Sequence, residues 1–371
     1  MIIHCHRPSL VAAFQVVSGV VPSRTPKDIL KNVMLQVADG KAVLIGTDQE
    51  IGIRYEIPGV EIESPGEMLL PTNRMISILR ELQDDGVDLE VDDSVVMVRS
   101  GHSEFRLSLQ DPSEFPPVTA FDEQEYYVVS GPVLREAIQR TAFATDIEST
   151  RYALGGVLME LSGESLTLAA TDSRRLAVVK TSCRSQGETS SENVSPVIPS
   201  KAMTLVEKSI PEDEEQEVWI SVHTNDVLVK CGPATISSRL VEGRFPRYRD
   251  VIPKESKFSL DLPVGPFYSA VRQAQIVTNE ESRGVDFKFA NGLLTLDSQA
   301  AEIGQSKVEM PVDYDGDELV ITFDPRFVAE FLRILGPEKQ ITLDLIDSES
   351  AAVFKTDDGY TYVIMPLSRD R

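Results

Sequence analysis

The chain has 371 residues, 42% of them hydrophobic, and its 59 acidic and 36 basic side chains give a formal net charge of −23 at pH 7. One hydrophobic core rarely extends over so long a chain, so we expect two or three globular domains. No run of about 18 apolar residues occurs, and the charged start MIIHCHRPSL lacks the apolar centre of a signal peptide, so we expect neither a membrane-spanning nor a secreted protein.

The predicted elements follow one order, helix, strands, helix, strands, three times along the chain. In the first pass, alternating strands follow the helix and meet at a predicted hairpin turn, residues 39–40. The return strand runs into Thr47-Asp48, and in the second pass the strand LTLAA runs into Thr171-Asp172 at the same place. The predicted helices lie at 7–19, 72–82, 132–145, 199–209, 263–276 and 325–335.

Each pass covers roughly 120 residues, an ordinary size for one domain. We therefore predict an α+β fold of three similar tandem domains, with boundaries in the Pro-rich stretch 111–122 and near 253–262. The charged runs 182–196 and 212–217 are predicted to be exposed loops, because such runs seldom lie in a core. The predicted domains are residues 1–122, 123–253 and 254–371.

The residues that could carry a reaction form no recognisable group. Four histidines, His4, His6, His102 and His223, are not spaced as a triad or a metal cluster. His4 and His6 could ligate a metal from one strand face, but exposed or hydrogen-bonded histidines are far commoner. No P-loop and no dinucleotide fingerprint occurs, so we predict no catalytic residue, no metal and no cofactor.

Three cysteines, Cys5, Cys183 and Cys231, are odd in number and far apart in the sequence. This pattern argues against a disulfide framework and favours a reducing cytoplasm. We expect each thiol to behave as a small buried hydrophobic group.

Asp48 and Asp172 allow two interpretations. They could form a carboxylate pair for acid–base catalysis. Alternatively, each side chain could accept hydrogen bonds from the backbone of its own turn. Their equivalent positions in two repeats favour the structural interpretation.

The predicted helices are basic although the chain as a whole is acidic. Their segments contain ten Arg or Lys residues and four Glu residues, a net charge of +6. The rest of the chain therefore carries a net charge of −29, and the two together give the total of −23. Composition alone can produce such a difference. The other interpretation is that the helices line a surface that neutralises phosphates without reading bases, since no base-reading motif is present.

Several separate motifs make the sequence similar to the bacterial sliding clamps, the β subunit of the replicative DNA polymerase III. They are GTDQEIGIR at 46–54, RYALGGVLMEL at 151–161, ATDSRRLAVV at 170–179, EGRFPRYRDVIP at 242–253, NEESRGV at 279–285 and YVIMPL at 362–367. The resemblance covers essentially the whole chain. It implies a cytoplasmic, non-catalytic processivity factor that forms a head-to-tail homodimeric ring, with helices lining the hole around duplex DNA and antiparallel sheets outside.

The resemblance also implies a pocket for short motifs of partner proteins: the DNA polymerase III catalytic subunit, the clamp loader and other proteins with clamp-binding motifs. An apolar cleft that contains methionine tolerates varied partners. Ser173-Arg174 replaces the Gly-His usual in the family, which makes the pocket rim bulkier and more basic, so partner preference is expected to differ. Asp250 stands where a basic residue is common, so no family role is carried over to that position. The implied pocket residues, some of which could equally be core, are Leu154, Thr171, Ser173, Arg174, Leu176, Pro246, Val251, Val363, Met365, Pro366 and Leu367.

For the ring contact, the resemblance implies that Phe105 and Leu107, on an edge strand of the first domain, meet Ile276 and Val277 of the third domain in the other subunit. Intramolecular packing of these four residues is the alternative. The implied contacts with double-stranded DNA are Arg24, Arg74, Arg151, Tyr152 and Lys201.

Two other functions compete with the clamp. One is a monomeric three-repeat binding scaffold that does not act on DNA. The other is a hydrolase that uses Asp48 and Asp172, which requires the two turns to converge.

Overall fold

The computed structural model describes residues 1–92, 94–148, 152–187, 194–279, 283–301 and 303–368. Pro8 and Pro325 lie in the first turns of their helices, where a missing N–H has no helical acceptor to lose. Asp324 caps the second of these helices by accepting a hydrogen bond of 3.0 Å from the backbone N–H of Arg326. The helices are α1 (Arg7–Val17), α2 (Thr72–Glu81), α3 (Gly131–Gln139), α4 (Ser200–Ser209), α5 (Val264–Ala274) and α6 (Pro325–Ile334).

Three predicted helices, α2, α4 and α6, are confirmed to within one residue at each end. The other three end earlier than predicted, and α3 shows why. The Thr141 hydroxyl donates a hydrogen bond of 2.7 Å to the Ala137 carbonyl oxygen, and the chain then tightens into the 3-10 helix Ala142–Ala144. A β-branched hydroxyl residue that bonds back to the preceding turn favours such an ending.

Antiparallel strands connect these helices. The first part of the chain contains β1 (Ile2–His6), β2 (Asn32–Ala38), β3 (Lys41–Thr47), β4 (Ile51–Glu56), β5 (Glu61–Ser64), β6 (Gly66–Pro71), β7 (Gly86–Asp92), β8 (Val95–Ser100), β9 (Ser103–Ser108), β10 (Tyr126–Ser130), β11 (Gly156–Ser162), β12 (Ser165–Thr171) and β13 (Arg175–Ser182). The second part contains β14 (Arg184–Gln186), β15 (Val197–Pro199), β16 (Glu217–Val222), β17 (Asp226–Cys231), β18 (Ala234–Arg239), β19 (Phe258–Pro263), β20 (Val285–Ala290), β21 (Leu293–Ala300), β22 (Gly304–Pro311), β23 (Leu319–Phe323), β24 (Gln340–Leu345), β25 (Ala352–Lys355) and β26 (Tyr360–Ile364).

The chain divides into two compact units, each built from three segments. Unit 1 comprises Met1–Arg135, Cys183–Glu192 and Lys201–Leu240. Unit 2 comprises Glu136–Ser182, Asn193–Ser200 and Val241–Arg371.

The described part of unit 1 has a five-stranded and a nine-stranded sheet. Their strand orders are β5-β1-β7-β8-β9 and β14-β10-β16-β17-β18-β4-β3-β2-β6. In the larger sheet β18 pairs with β4, with Ile236 opposite Ile53, so strands of the first and second repeats form one continuous sheet. Helix α1 packs against α2, β3 and β4 and buries Leu10 and Phe14.

The described part of unit 2 has an eight-stranded and a four-stranded sheet. Their strand orders are β15-β11-β12-β13-β26-β25-β24-β19 and β22-β21-β20-β23. Here β13 pairs with β26, with Leu176 opposite Val363, which joins strands of the second and third repeats. Helix α5 packs against α6, β21 and β22, and the buried Phe331 of α6 stacks on Tyr362 with ring centroids 4.8 Å apart.

The hairpin turn predicted at 39–40 is confirmed, and the chain makes a turn of the same type at 291–292. Asp39 and Gly40 have φ values of 52° and 74°, and Asn291 and Gly292 have φ values of 50° and 76°. Positive φ at both central residues defines the turn whose twist matches that of the flanking strands, and Asn, Asp and Gly tolerate it best.

One predicted exposed loop was wrong in part. Within the run 182–196, β14 pairs with Tyr126–Val128 of β10, and Cys183 beside it is buried. The strand lies at the edge of the nine-stranded sheet and all three of its residues are exposed, so it carries no alternation of apolar and polar residues to reveal it. Its backbone bonds to β10, rather than its side chains, define it as a strand.

The expected burial of the three cysteines is confirmed. Burial raises the pKa of the Cys5 and Cys231 thiols to about 12, so both stay protonated and unreactive near neutral pH. Within the described ranges, no helix is both long and apolar enough to cross a membrane.

Candidate functional site

The turn after β12 is held together by its own side chains. The Thr171 hydroxyl donates to the Arg175 carbonyl oxygen at 2.6 Å and accepts from the Ser173 backbone N–H at 3.1 Å. Asp172 Oδ1 accepts from the backbone N–H groups of Arg174 at 2.9 Å and Arg175 at 3.0 Å. These bonds hold Ser173 at a φ of 76°, a left-handed conformation that non-glycine residues adopt only when their surroundings impose it.

The turn after β3 repeats the same network. The Thr47 hydroxyl donates to the Ile51 carbonyl oxygen at 2.8 Å and accepts from the Gln49 backbone N–H at 2.9 Å. Asp48 Oδ1 accepts from the backbone N–H groups of Glu50 at 3.0 Å and Ile51 at 2.8 Å. Gln49 has a φ of 79°, so the two turns match residue by residue.

The second carboxylate oxygen of each turn pairs with a cation. Asp48 Oδ2 lies 2.6 Å from Lys201 Nζ, and Asp172 Oδ2 lies 3.0 Å from Arg175 Nε. With one oxygen on backbone N–H groups and the other on a cation, neither carboxylate is arranged as a free base. The predicted structural role of Asp48 and Asp172 is confirmed.

Arg175 is not among the residues predicted from the sequence, yet it is the most connected side chain near the second turn. It is 9% exposed, and its guanidinium donates to Glu330, to the Phe143 carbonyl oxygen at 2.9 Å and to the Tyr362 hydroxyl at 3.4 Å. It also lies over the Phe327 ring, 4.5 Å from the centroid. Burial lowers the pKa of Arg175, but Tyr362 and Glu330 raise it by more, so the side chain stays charged while it ties β13 to α6 and β26.

An apolar cavity of about 340 Å³ opens beside this turn, within unit 2. Leu176 and Val363 are 3% and 2% exposed and belong to the core beneath it, whereas Val251 and Met365 are 53% and 45% exposed at its rim. Large exposed apolar side chains around a concave site are typical of a surface that binds another molecule. The lining residues of this apolar cavity are Thr171, Ser173, Arg174, Arg175, Leu176, Pro246, Tyr248, Val251, Val363 and Met365.

The structure brings eight of the eleven predicted pocket residues to the apolar cavity. The other three lie elsewhere in unit 2. Leu154 is buried in the 3-10 helix Tyr152–Gly155 and is not part of the lining. Pro366 and Leu367 line a neighbouring cavity, where the Leu367 backbone N–H donates to the Thr322 carbonyl oxygen at 2.8 Å.

Tyr248 is the second lining residue that the sequence did not reveal. Its hydroxyl donates to Glu160 Oε2 at 2.7 Å, and its ring packs edge-on against Phe245 with centroids 6.2 Å apart. Burial is the main cause that raises the pKa of Tyr248 above its usual value, and the hydrogen bond with the Glu160 carboxylate raises it further. These contacts hold the 3-10 helix Tyr248–Val251 against the sheet and thereby place Val251 at the rim. The contact with Glu160 joins residues 88 positions apart in the sequence, so no local pattern predicts it.

The four residues predicted for the ring contact lie on accessible parts of the two units. Phe105 and Leu107 are half-buried on β9, which ends the five-stranded sheet within the described part of unit 1. In unit 2, Ile276 is 75% exposed and Val277 is half-buried in the 3-10 helix Gln275–Val277. A free strand edge and a largely exposed isoleucine are both unfavourable in an isolated subunit.

The residues predicted to contact DNA are only partly described. Arg24 and Arg74 are exposed, and the Lys201 side chain is 49% exposed although its Nζ pairs with Asp48. Arg151 lies outside the described residues, as does the side chain of Tyr152.

The basic charge of the helices is less exposed than the count from the sequence implies. Arg140, in the segment predicted to continue α3, is 4% exposed and pairs with Glu136 at 2.5 Å and Asp358 at 2.8 Å. The guanidinium of Arg135 donates to two backbone carbonyl oxygens, at 2.6 and 2.7 Å. The net charge of +6 is therefore only partly available to a ligand.

His4 pairs with two carboxylates instead of with His6. Its Nδ1 lies 2.7 Å from Asp88 Oδ1 and its Nε2 lies 2.9 Å from Glu63 Oε1. The hydrogen bond with Asp88, and to a lesser extent the one with Glu63, raises the pKa of His4 to about 9. His6 Nδ1 lies 3.2 Å from the Ser9 hydroxyl. No group of three or more His, Cys, Asp or Glu side chains among the described residues is arranged to hold a metal ion.

Comparisons with known proteins match all three repeats. Family models of the DNA polymerase III beta subunit match residues 1–119 as the N-terminal domain, 128–247 as the central domain and 249–368 as the C-terminal domain. The Beta sliding clamp of Pseudomonas aeruginosa is 31% identical over 367 residues, covering 97% of this chain and 98% of the relative. The Beta sliding clamp of Chlamydia muridarum is 29% identical over 352 residues, covering 95% and 94%.

Solved structures share the fold over the same length. The DNA polymerase III subunit beta from Pseudomonas aeruginosa superposes with a TM-score of 0.91 at 29% identity and covers 100% of both chains. The DNA polymerase sliding clamp from Bacillus subtilis superposes with a TM-score of 0.91 at 27% identity and covers 100% of this chain and 99% of that one. Both likenesses extend over the whole chain, not one domain.

We predict that Arg175→Met lowers the free energy of unfolding by about 3 kcal/mol, because it leaves the carboxylates of Asp172 and Glu330 without their cation. Urea denaturation followed by circular dichroism measures the change. The matched control is Arg247→Met, since Arg247 pairs with Asp250 at 3.3 Å while their side chains are 82% and 64% exposed, and we expect it to cost less than about 1 kcal/mol. Equal losses in the two variants would contradict the role given to Arg175.

We predict a pKa of about 9 for His4 in an NMR titration, and a lower pKa in Asp88→Asn. Because this pKa lies above the unfolded value of about 6.5, the pairing stabilises the fold fully below that pH and the contribution disappears as the pH rises through 9. As a control, Asp226→Asn removes a 2.8 Å contact that raises the pKa of His223 and leaves His4 unchanged. A His4 titration at the unfolded value would show that the pair does not form.

Proposed function

The chain belongs to the bacterial DNA polymerase III β-subunit family, the sliding clamps, and we propose how its own residues close the ring, meet DNA and hold partner proteins. Members of this family are non-catalytic processivity factors that bind DNA and polymerase and form homodimeric rings. The protein is accordingly a sliding clamp of three tandem domains, and membership gives no support to a monomeric scaffold. We place the domain limits at 1–122, 123–253 and 254–371, and its action in the cytoplasm, where bacterial DNA is replicated.

The observation that carries the ring contact is the strand pairing that already joins repeats inside the chain. In unit 1, five strands of the second repeat, ending in β18, join four strands of the first repeat, beginning with β4. Two other sheets have the same numbers of strands as these two halves. The smaller sheet of unit 1 has five strands and ends in β9, and the smaller sheet of unit 2 has four strands and ends in β22. Pairing β9 of one subunit with β22 of the other forms a second nine-stranded sheet and satisfies both free edges.

The strand register supports Phe105 as a central residue of this contact. The hairpins β17/β18 and β8/β9 have the same register, so Phe105 is the equivalent of Ile236. Ile236 lies opposite Ile53 and is 1% exposed, whereas Phe105 is only half-buried. A residue whose partner strand belongs to another subunit is expected to show this difference. Leu107 follows Phe105 on the same face, and Ile276 and Val277 supply the apolar surface of the other subunit.

The apolar cavity is the proposed docking site for short motifs of the DNA polymerase III catalytic subunit, the clamp loader and other clamp-binding proteins. Its support is the combination of a buried floor, Leu176 and Val363, with the exposed rim of Val251 and Met365. A peptide that inserts apolar side chains there covers surface that is otherwise in water, at about 25 cal/mol per Å². Methionine at the rim adapts to partners of different shape.

The proposed DNA contacts are Arg24, Arg74, Arg151, Tyr152 and Lys201, all directed at the phosphate backbone. A net charge of −23 opposes tight binding of DNA. In a closed ring, the DNA is retained by topology. A few weak, salt-sensitive contacts therefore suffice, and they leave the ring free to slide. The pairing of Lys201 with Asp48 keeps that contact weak, because the lysine must leave its carboxylate to meet a phosphate.

We predict that Phe105→Asp converts the dimer to monomer, because it places a charge opposite the apolar surface of the other subunit. Sedimentation velocity at micromolar concentration measures the change. The control is Val133→Asp, the same substitution type at a side chain that is 36% exposed on α3, and it should leave the dimer intact. A dimer that survives Phe105→Asp, or a wild-type protein that is monomeric, would rule out the proposed contact.

We predict that Val251→Glu weakens binding of a polymerase-derived peptide at least about tenfold, because it puts a carboxylate at the apolar rim. Peptides tiled across the DNA polymerase III catalytic subunit serve as ligands, and titration calorimetry measures affinity. Val133→Glu is the control, since it introduces the same charge on an exposed valine of the other unit. Unchanged affinity in Val251→Glu would place docking elsewhere.

A further inference from the structure

The rim of the apolar cavity carries a cation that is still free to bind a ligand. Arg174 is exposed and lines the cavity, and within the described part of the chain its guanidinium has no hydrogen bond or ion pair. Its backbone is fixed on both sides, because its N–H donates to Asp172 Oδ1 at 2.9 Å and its carbonyl oxygen accepts from the Met365 N–H at 2.8 Å. A free charge is therefore attached to a rigid turn, next to the exposed apolar side chain of Met365.

Three other arginines in or beside the segments that line the apolar cavity, Arg175, Arg247 and Arg249, are already neutralised. Each has a carboxylate within ion-pair distance, and Asp172, the carboxylate nearest in sequence to Arg174, has both oxygens occupied by Arg175 and by backbone N–H groups. The pairs are Arg175 with Asp172 at 3.0 Å, Arg249 with Glu160 at 2.5 Å and Arg247 with Asp250 at 3.3 Å.

The turn does not require a positive charge at this position. In the matching turn of the first repeat Glu50 is the equivalent of Arg174, and its backbone N–H makes the same bond to Asp48 Oδ1, at 3.0 Å. Two residues of opposite charge thus fit one backbone network. The turn itself therefore does not account for the charge of Arg174.

A carboxylate is the ligand group that suits this position. A guanidinium presents its donors in a planar fork that matches the two oxygens of a carboxylate, and such charge-assisted bonds are stronger than neutral ones. The overall charge of −23 repels acidic ligands, so an acidic segment needs a local cation to be accepted. Arg174 supplies that cation within the screening length of about 8 Å at physiological salt.

We propose that Arg174 is a specificity-determining residue of the apolar cavity, selecting partner segments that place an Asp or Glu beside the apolar side chain seated there. The inference rests on the docking role proposed above and adds the chemistry of the preferred partner: a short peptide with an apolar anchor and a neighbouring carboxylate. Arg174 contributes discrimination between partners, while the apolar residues supply most of the affinity.

The test uses the full chain and the tightest binder among peptides tiled across the DNA polymerase III catalytic subunit. A second version of that peptide has its Asp and Glu residues replaced by Asn and Gln. Wild-type protein should bind the acidic version about fivefold more tightly, a preference that decreases at high salt. Arg174→Ala should bind the two versions equally, with the whole loss on the acidic peptide.

The matched control is Arg244→Ala, which makes the same change in net charge at an exposed arginine outside the lining of the cavity. It should keep the wild-type preference. A tightest peptide without Asp or Glu, equal binding of both versions by wild type, or an equal loss for both in Arg174→Ala would overturn the inference and leave the docking role intact. If no peptide bound wild-type protein, the docking role would fall and the inference with it.

Discussion

Free strand edges need hydrogen-bond partners, and this requirement organises the whole chain. Within unit 1 it is met where β18 of the second repeat pairs with β4 of the first, and within unit 2 where β13 of the second repeat pairs with β26 of the third. Among the edge strands of the described sheets, β9 and β22 occupy the positions in their repeats that correspond to β18 and β4, and we propose that they pair between subunits. A repeated unit whose two ends are complementary associates head to tail, and this association gives a ring when the rotation from one unit to the next closes.

Comparison of the two matching turns, 47–51 and 171–175, shows which of their features the fold requires and which are particular to the apolar cavity. Both copies keep Thr and Asp at the first two positions, a third residue in the left-handed conformation and the same backbone bonds. They differ at the fifth position, where the next strand begins. Ile51 enters the strand of the first copy, and Arg175 enters that of the second. Asp48 therefore takes its cation from another segment, whereas Asp172 takes it from within its own turn. Arg175 also donates a hydrogen bond to Glu330 of α6, so the second turn, which forms part of the wall of the apolar cavity, is connected to that helix.

Local patterns predicted the helices, the hairpin turns and the role of the two aspartates, because those structures depend on residues a few positions apart. The polar edge strand β14 escaped prediction because neither of its faces is apolar. Arg175 and Arg140 escaped it because their partners Glu330 and Asp358 lie 155 and 218 positions away. Most of the apolar cavity was predicted only through family resemblance, and even that missed Tyr248, whose place depends on a distant glutamate.

The residues that line the apolar cavity all lie in unit 2. The homodimer therefore carries this cavity twice. Under the docking role proposed above, the ring is bivalent: while one ligand is engaged, a second that is tethered to the same ring experiences a local concentration of about millimolar. Such attachments need not last long, because exchange between two ligands on one ring is an intramolecular event that does not wait for diffusion from bulk solution.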